Sequence, residues 1–397
     1  MNAYAPFRFR DYRYLLAGNL LASLGLQMLS VAVSWDLYLQ TKSAMVLGNV
    51  GFVQVTPFLV FALFAGQVAD RYDRRRIMVL TQLLLLGASL FLAFVPRSVI
   101  SIYSCLFMTA LARSFQGPAR SAVLPHVVPS ELLHKAITWN SSAQEISNVG
   151  GPAIAGLLLA IAGSQSVYLV QVGCAIAVLF CFSRLRSYAA NDVADTPPKP
   201  GALLEGVRFV WNHKLILPAM SLDLFGVLFG GATALLPIYA VEILHTGVQG
   251  LGWLRAAPSL GAVFMAFLLS HRHKVSDAGI TLLLAVAGFG TATVVFGFSR
   301  SLPLSLAMLV LTGACDNISV VLRSSLVQMK TPDYVRGRVN AVNNIFISCS
   351  NQLGAVESGW TAAWFGPVAS VAGGGFATIL IAVSFALAFP SLRYWRE

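Results

Sequence analysis

Charge is scarce in this sequence: Asp, Glu, Lys and Arg make up 11% of its 397 residues, against 57% hydrophobic ones. That leaves too little polar surface to cover a soluble globule and places the chain among polytopic membrane proteins. Acids are scarcest, 16 against 27 bases, for a net charge of +11. A nucleic-acid binder would gather such an excess into one exposed patch beside stacking aromatics. Here the bases punctuate apolar runs, so no nucleic-acid partner is expected. The six histidines (His126, His134, His213, His245, His271 and His273) all fall in predicted loops or span ends, and no Gly-rich phosphate loop followed by Lys-Ser or Lys-Thr occurs. Neither an enzyme nor ATP or any other cofactor is expected. The five cysteines, Cys105, Cys174, Cys181, Cys315 and Cys349, sit scattered in apolar stretches without metal-ligand spacing, which excludes a cysteine metal site.

What the chain does have is long apolar runs cut by short polar turns. The stretch Gly66-Gln67-Val68-Ala69-Asp70-Arg71-Tyr72-Asp73-Arg74-Arg75-Arg76 interrupts one run and is followed at once by another. A carboxylate and a dense basic cluster cannot sit in hydrocarbon, so this is a turn at a membrane surface between two spanning helices. Requiring about twenty mainly apolar residues per crossing gives twelve spans, 14–39, 45–69, 77–96, 99–121, 134–161, 166–184, 214–241, 248–270, 278–299, 302–328, 335–361 and 367–390. The first is too long for a signal-peptide core and is kept as a span. Loops on one side carry Arg71 to Arg76, Arg120 to Lys135, Arg184 to Lys214, Arg272 to Lys274, Lys330 to Arg338 and the tail; the others hold only Lys42, Arg97 and Arg300. By the positive-inside rule both termini are cytoplasmic.

The longest hydrophilic stretch, rich in turn formers and charge, divides the chain into a six-helix bundle at 1–186, a cytoplasmic linker at 187–212 and a second six-helix bundle at 213–397. An internal repeat supports the division. A displacement of 203 residues lays Arg120-Ser121 on Arg323-Ser324, Pro129 on Pro332, Asn140 on Asn343, Asn148 on Asn351, Gly151 on Gly354 and Gly156 on Gly359. A displacement of 201 lays Gly51, Pro57, Leu59 and Arg71 on Gly252, Pro258, Leu260 and Arg272. Repeated halves of this kind are a transporter architecture with substrate bound near the midplane.

Gly66-x-x-x-Asp70-Arg71-x-x-Arg74-Arg75-Arg76, with the twelve-span layout, resembles the signature loop of the major facilitator superfamily. Asp73 stands where many members have Gly, and the second-half loop His271-Arg272-His273-Lys274 lacks the acid. Ser147 to Gly156 looks like a partial form of the Gly-Pro motif of proton-coupled exporters, with Ala155 in place of one paired glycine; Gly-Pro is also an ordinary packing kink. Phe115 to Arg120 and Thr331 to Arg338 are similar to the branch that contains the enterobactin exporter and macrolide efflux proteins. The resemblance implies an all-α membrane protein of two pseudo-symmetric bundles in the cell inner membrane, acting as a monomer. It also implies alternating-access efflux of an amphiphilic compound, such as a drug or siderophore, by antiport with protons.

The first span carries Asn19, Ser23, Gln27, Ser30, Ser34 and Tyr38 at spacings of four, four, three, four and four, one polar face along the whole crossing. Lipid penalises such a stripe, so it faces a partner helix or a water-filled cavity. Asn344 and Asn351 in the eleventh span and Asn148 in the fifth, beside Gln144, offer matching faces; with the stripe of the first span, Asn148, Asn344 and Asn351 are the substrate-cavity candidates. The deepest ionisable residues are Arg113, Glu145, Asp223, Arg255 and Asp316. Arg113 and Asp316 are equivalent under the 203 offset and form a candidate pair. An acid lacking a basic partner is the better proton carrier, which ranks Asp223 first, with no charged residue within two turns on its own helix, and Asp316 and Glu145 next. Asp36 and Glu357, toward span ends, are read as solvated. In the signature loop, Gly66, Asp70, Arg71, Arg74 and Arg75 form a candidate gate, with Asp70 reaching a helix start capped by Thr331 with Pro332 in its first turn. Two other functions stay open: a lysolipid transporter without proton coupling, and a membrane receptor that kept the fold but lost transport.

Overall fold

The computed structural model describes residues 4–186, 202–271 and 277–395, and among these not the side chains of 62, 63, 67, 70, 202–204, 333 and 334. Most of the expected linker, 187–201, and the second-half loop 272–274 lie outside the described residues, as does the Asp70 side chain. All regular structure described is helical. In order the helices are α1 (Arg10–Thr41), α2 (Ala44–Arg71), α3 (Arg74–Phe94), α4 (Val99–Val127), α5 (Ser130–Ser183), α6 (Ala202–Asn212), α7 (Ile216–Gly230), a single turn α8 (Leu236–Ile238), α9 (Gly247–His271), α10 (Ala278–Phe298), α11 (Leu302–Lys330), α12 (Asp333–Phe365), α13 (Pro367–Ala388) and a last turn α14 (Pro390–Arg393).

By length and composition, ten of the helical segments among the described residues can cross a membrane. One of them, α5, runs for 54 residues, far beyond the roughly twenty that one crossing needs. It breaks at Gly163, whose φ of 71° lies in the left-handed region that only glycine enters without strain. The expected spans 134–161 and 166–184 therefore lie on either side of this bend. The polar run Asn340, Asn343, Asn344, Asn351 and Gln352 makes α12 the least apolar of the long helices, and it is not among the ten. The expected span 214–241 is also irregular: α7 stops at Gly230, and a 3-10 turn (Ala232–Leu235), α8 and a π turn (Tyr239–Ile243) continue it.

Two compact units emerge. The first comprises Met1–Thr41, Phe52–Asp195 and Leu251–Ala256. Here α1 packs along α5, and α3 packs on α4 and α5. Small residues set the spacing: a Cβ at Gly18 would come within 2.6 Å of Phe182, and one at Gly151 within 2.6 Å of Gln27. The second comprises Lys42–Gly51, Thr196–Gly250 and Ala257–Glu397. In it α10 packs on α11 and α13, α7 packs on α12 and α13, and α6 lies on α12. Relative to a single cut in the linker, the start of α2 belongs with the second unit and Leu251–Ala256 of α9 with the first.

The sequence repeat has a counterpart in backbone geometry. Pro129 and Pro332 both hold the N-cap position, of α5 and α12, with φ, ψ of −56°, 152° and −58°, 148°. Gly252 packs on Pro152 and Gly156 of α5, and Gly51 packs on Gln352 and Val356 of α12. Equivalent positions thus make equivalent close approaches.

Candidate functional site

In the second unit, α7, α10 and α11 enclose a cavity of about 250 Å³ whose polar lining includes Asp223, Asp316, Arg323, Thr312 and Asn351, with Phe289 among its apolar walls. The α7 carboxylate of Asp223 forms an ion pair with Arg323 of α11 at 2.6 Å, with side chains 6% and 2% exposed. Ser319 donates to the other carboxylate oxygen at 3.2 Å. A charge at the bilayer centre costs at least about 2.5–3.5 kcal/mol even on the gentler insertion scale, and pairing with hydrogen bonding is the usual way to hold one there. The expectation for Asp223 considered only its own helix; its partner comes from α11. Arg323 could have been found in the sequence, since it is the repeat partner of Arg120 and follows Asp316 by two helical turns.

Asp316, on α11 with Arg323, lines the same cavity and has no hydrogen bond or ion pair among the described residues. Asn351 also lines the cavity, its amide donating to the Ile347 carbonyl at 2.8 Å, while Asn344 is exposed elsewhere on α12.

In the first unit the polar stripe of α1 meets the polar face of α5 in a ladder. Asn19 donates to Asn140 at 2.9 Å, Ser23 to Gln144 at 2.7 Å and Gln27 to Asn148 at 2.6 Å. Each rung joins residues 121 apart, because four-residue steps on parallel helix faces keep register. Gln144 also donates to Asn148 at 2.9 Å, cross-linking two rungs. The stripe is therefore helix–helix contact, and its lower end also opens onto a cleft of about 320 Å³ lined by Asn19, Arg120, Asn140, Ser141, Gln144 and Glu145. Arg120 donates from Nε to the Asn19 side-chain oxygen. Ser30 accepts from Arg255 at 2.9 Å. Ser34 bonds back to Val31 and Tyr38 is fully buried, so the upper end of the stripe is packed rather than open. Arg113 on α4 is exposed and has no ion pair among the described residues of its unit.

The basic loop is tied into its own unit. Asp73 is the N-cap of α3, accepting from the Arg75 backbone N–H at 2.9 Å, and so has a capping task that glycine could not perform. Arg74 is buried and donates to the Ala122 carbonyl at the end of α4; Arg75 donates to the Ser183 carbonyl at the end of α5. Arg71 is exposed, and a Cβ at Gly66 would meet nothing within 4 Å. The capping expectation at 331–332 needs correction. The N-cap is Pro332 and makes no side-chain bond, while the Thr331 hydroxyl is buried without a partner, because proline takes the extended N-cap conformation one residue later than expected.

Asp36 also departs from expectation. Far from solvated, it is 8% exposed and accepts from Arg97 at 3.2 Å, from the Tyr168 hydroxyl at 2.9 Å and from Ser164 just past the bend at Gly163. Arg97 in turn lies over the Tyr168 ring, 5.2 Å from its centroid. The cluster fastens one end of α1 to the α5 bend.

Comparison with known proteins agrees on one class. A family model described as transmembrane secretion effector matches residues 1–397. The enterobactin exporter EntS of Shigella dysenteriae serotype 1 (strain Sd197) is 26% identical over 97% of this chain and 93% of its own length. EntS of Escherichia coli (strain K12) is 25% identical over the same shares. Among solved structures, a POT family transporter in complex with 5-aminolevulinic acid superposes with a TM-score of 0.77 at 13% identity, covering 97% of both chains. The nucleoside transporter NupG does so at 0.71 and 12% identity, covering 96% of this chain and 100% of that one. At such identities these structures speak for the fold alone.

Proposed function

Because this chain belongs to the transmembrane secretion effector family of the major facilitator superfamily, we propose that it exports an amphiphilic organic molecule, of siderophore or drug type, across the cell inner membrane in exchange for protons. The chain is a multi-pass membrane transporter and not an enzyme. In the proposed cycle, twelve spans form bundles at 1–186 and 213–397, with both termini cytoplasmic, and the bundles rock about a midplane site. Asp70 at the basic loop would act as the inner gate.

One observation carries the proton part of the reading. The second-unit cavity holds two carboxylates in different situations: Asp223 is tied to Arg323 at 2.6 Å, and Asp316 has no ion-pair partner among the described residues. Loading a proton on Asp223 means breaking a buried ion pair; loading one on Asp316 does not. We therefore assign the proton to Asp316 first and give Asp223 the part of holding Arg323 in the cavity wall. Glu145 lines the first-unit cleft and is kept for a secondary role.

The relatives' name supplies the substrate to try first. Purified protein in liposomes with an imposed pH gradient should move enterobactin against its own gradient, and a protonophore should stop it. Movement unaffected by the protonophore would remove proton exchange from the account.

A further inference from the structure

We infer that the transported molecule carries an anionic oxygen group, and that the first unit binds this group along three arginines, Arg120, Arg113 and Arg255. The inference rests on the export reading and adds the charge of the substrate to it.

The argument starts from an asymmetry inside the repeat. In the second unit the α11 guanidinium of Arg323 is neutralised by Asp223 of α7. In the first unit its equivalent, Arg120 of α4, faces Asn19 of α1, an amide that accepts a hydrogen bond and carries no charge. The equivalent helix pair is bridged again, by a hydrogen bond to an amide where the second unit has an ion pair. Arg120 is thus held in place but not neutralised, beside a cleft of about 320 Å³.

Two more cations extend the feature. Arg113 precedes Arg120 by seven residues on α4, hence on the same face and about 10 Å further along the helix axis. Arg255, at the start of α9 in the first unit, bonds the Ser30 hydroxyl, and its Nε has no partner. Ser30 lies eleven residues beyond Asn19 on α1, about 16 Å along the axis. None of the three arginines has an ion pair among the described residues of its unit. Glu145, the carboxylate that lines the cleft, is hydrogen-bonded to Asn148 and ion-paired to none of the three arginines among the described residues, and Asp36 is occupied by Arg97.

Three guanidinium groups set against one carboxylate make this face a place where an anion gains and a neutral or cationic molecule does not. A guanidinium presents a planar fork that matches carboxylate, phosphate or sulfonate oxygens two at a time. The hydroxyl of Ser141 and the amides of Asn140 and Gln144 line the cleft beside Arg120 and can hold the remaining polar atoms of an amphiphile. The cavity of the second unit, where Asp223 already balances Arg323 and Asp316 adds a further acid, offers the same anion no uncompensated cation, so substrate and proton would occupy different units.

Binding of naphthoate and of its neutral isostere naphthamide to the purified full chain tests this, with enterobactin export measured in parallel in proteoliposomes. Naphthoate should bind at least tenfold more tightly, and Arg120→Gln, Arg113→Gln and Arg255→Gln should each cut its binding several-fold while leaving naphthamide unchanged. Equal binding of the two probes, no binding of naphthoate, or discrimination that survives all three substitutions would overturn the inference. The wild-type comparison needs no variant, so a variant that fails to fold does not blunt the test. Export of enterobactin without charge discrimination would sink this inference and leave the export reading standing. Discrimination without export would do the reverse.

Discussion

Asp223 of α7 and Arg323 of α11 form an ion pair 2.6 Å apart that is almost fully removed from solvent, and at this point the two repeats of the chain differ in charge. The equivalent bond in the other unit joins Arg120 to Asn19. The second unit holds a balanced pair plus a further acid at this place; the first holds Arg120 with a neutral partner. From this difference follow the division of labour proposed between proton and substrate and a set of measurable consequences.

The pair should be fragile to single changes and tolerant of a double one. Arg323→Gln leaves a buried carboxylate without its cation and should cost about 3–5 kcal/mol of unfolding free energy. Asp223→Asn strands the guanidinium at similar cost. The double substitution should recover most of the loss, as measured by unfolding titrations in detergent micelles.

Close helix approaches give a second prediction. A Cβ at Gly313 would sit 1.8 Å from the Pro258 carbonyl oxygen, where α11 crosses α9. Gly313→Ala should therefore destabilise by about 1–3 kcal/mol through overpacking. Gly337 of α12 has nothing within 4 Å of such an atom. Gly337→Ala should be neutral or gain up to about 1 kcal/mol from helix propensity. Melting temperatures of the two variants, read side by side, decide the matter.

The α1–α5 ladder should be modestly cooperative. A double-mutant cycle on Gln27→Ala and Asn148→Ala, joined at 2.6 Å, is expected to give a coupling energy near 0.6 kcal/mol, the average for such bonds inside membranes. A coupling indistinguishable from zero would mean that the rungs are not formed in the working protein.

His213, between α6 and α7, supplies a pH signature. Its Nδ1 accepts from the backbone N–H groups of Leu215 and Ile216, both at 3.2 Å, which only the unprotonated ring nitrogen can do. Burial, and then the charge of Lys330, lower its pKa from the ordinary value of 6.5. The folded state thus resists the proton that the unfolded chain accepts. Its contribution to stability is complete above about pH 6.5 and falls as the pH drops toward the lowered folded value. His213→Asn, which can accept the same bonds at any pH, should melt with a smaller loss between pH 7.5 and pH 5.5 than the wild type.

Much of this was legible in the sequence because membrane insertion writes itself in long apolar runs and in the placement of arginines. The repeat was legible too, and Pro129 with Pro332 shows why: a helix start that needs a particular backbone angle keeps its proline. What could not be read was which polar face meets which. Asp223 looked free because its partner lies about a hundred residues away on another helix. Asp36 looked solvated because the bend at Gly163, which delivers Ser164 and Tyr168 to it, leaves no periodicity signal. Ser34 and Tyr38 continue the spacing of Asn19, Ser23 and Gln27, yet packing closes over them, and spacing alone does not reveal where a cleft ends. Asp73, a departure from the loop pattern, turned out to cap α3.

The central claim, that protons pass through the second unit by way of Asp316, is tested most directly by Asp316→Asn in proteoliposomes containing enterobactin. With substrate on both sides and no pH gradient, the variant should exchange it at a rate near that of the wild type, since the substrate path is intact. With a pH gradient imposed, the wild type should accumulate substrate and the variant should not. Gradient-driven accumulation at the wild-type level by Asp316→Asn would contradict the account.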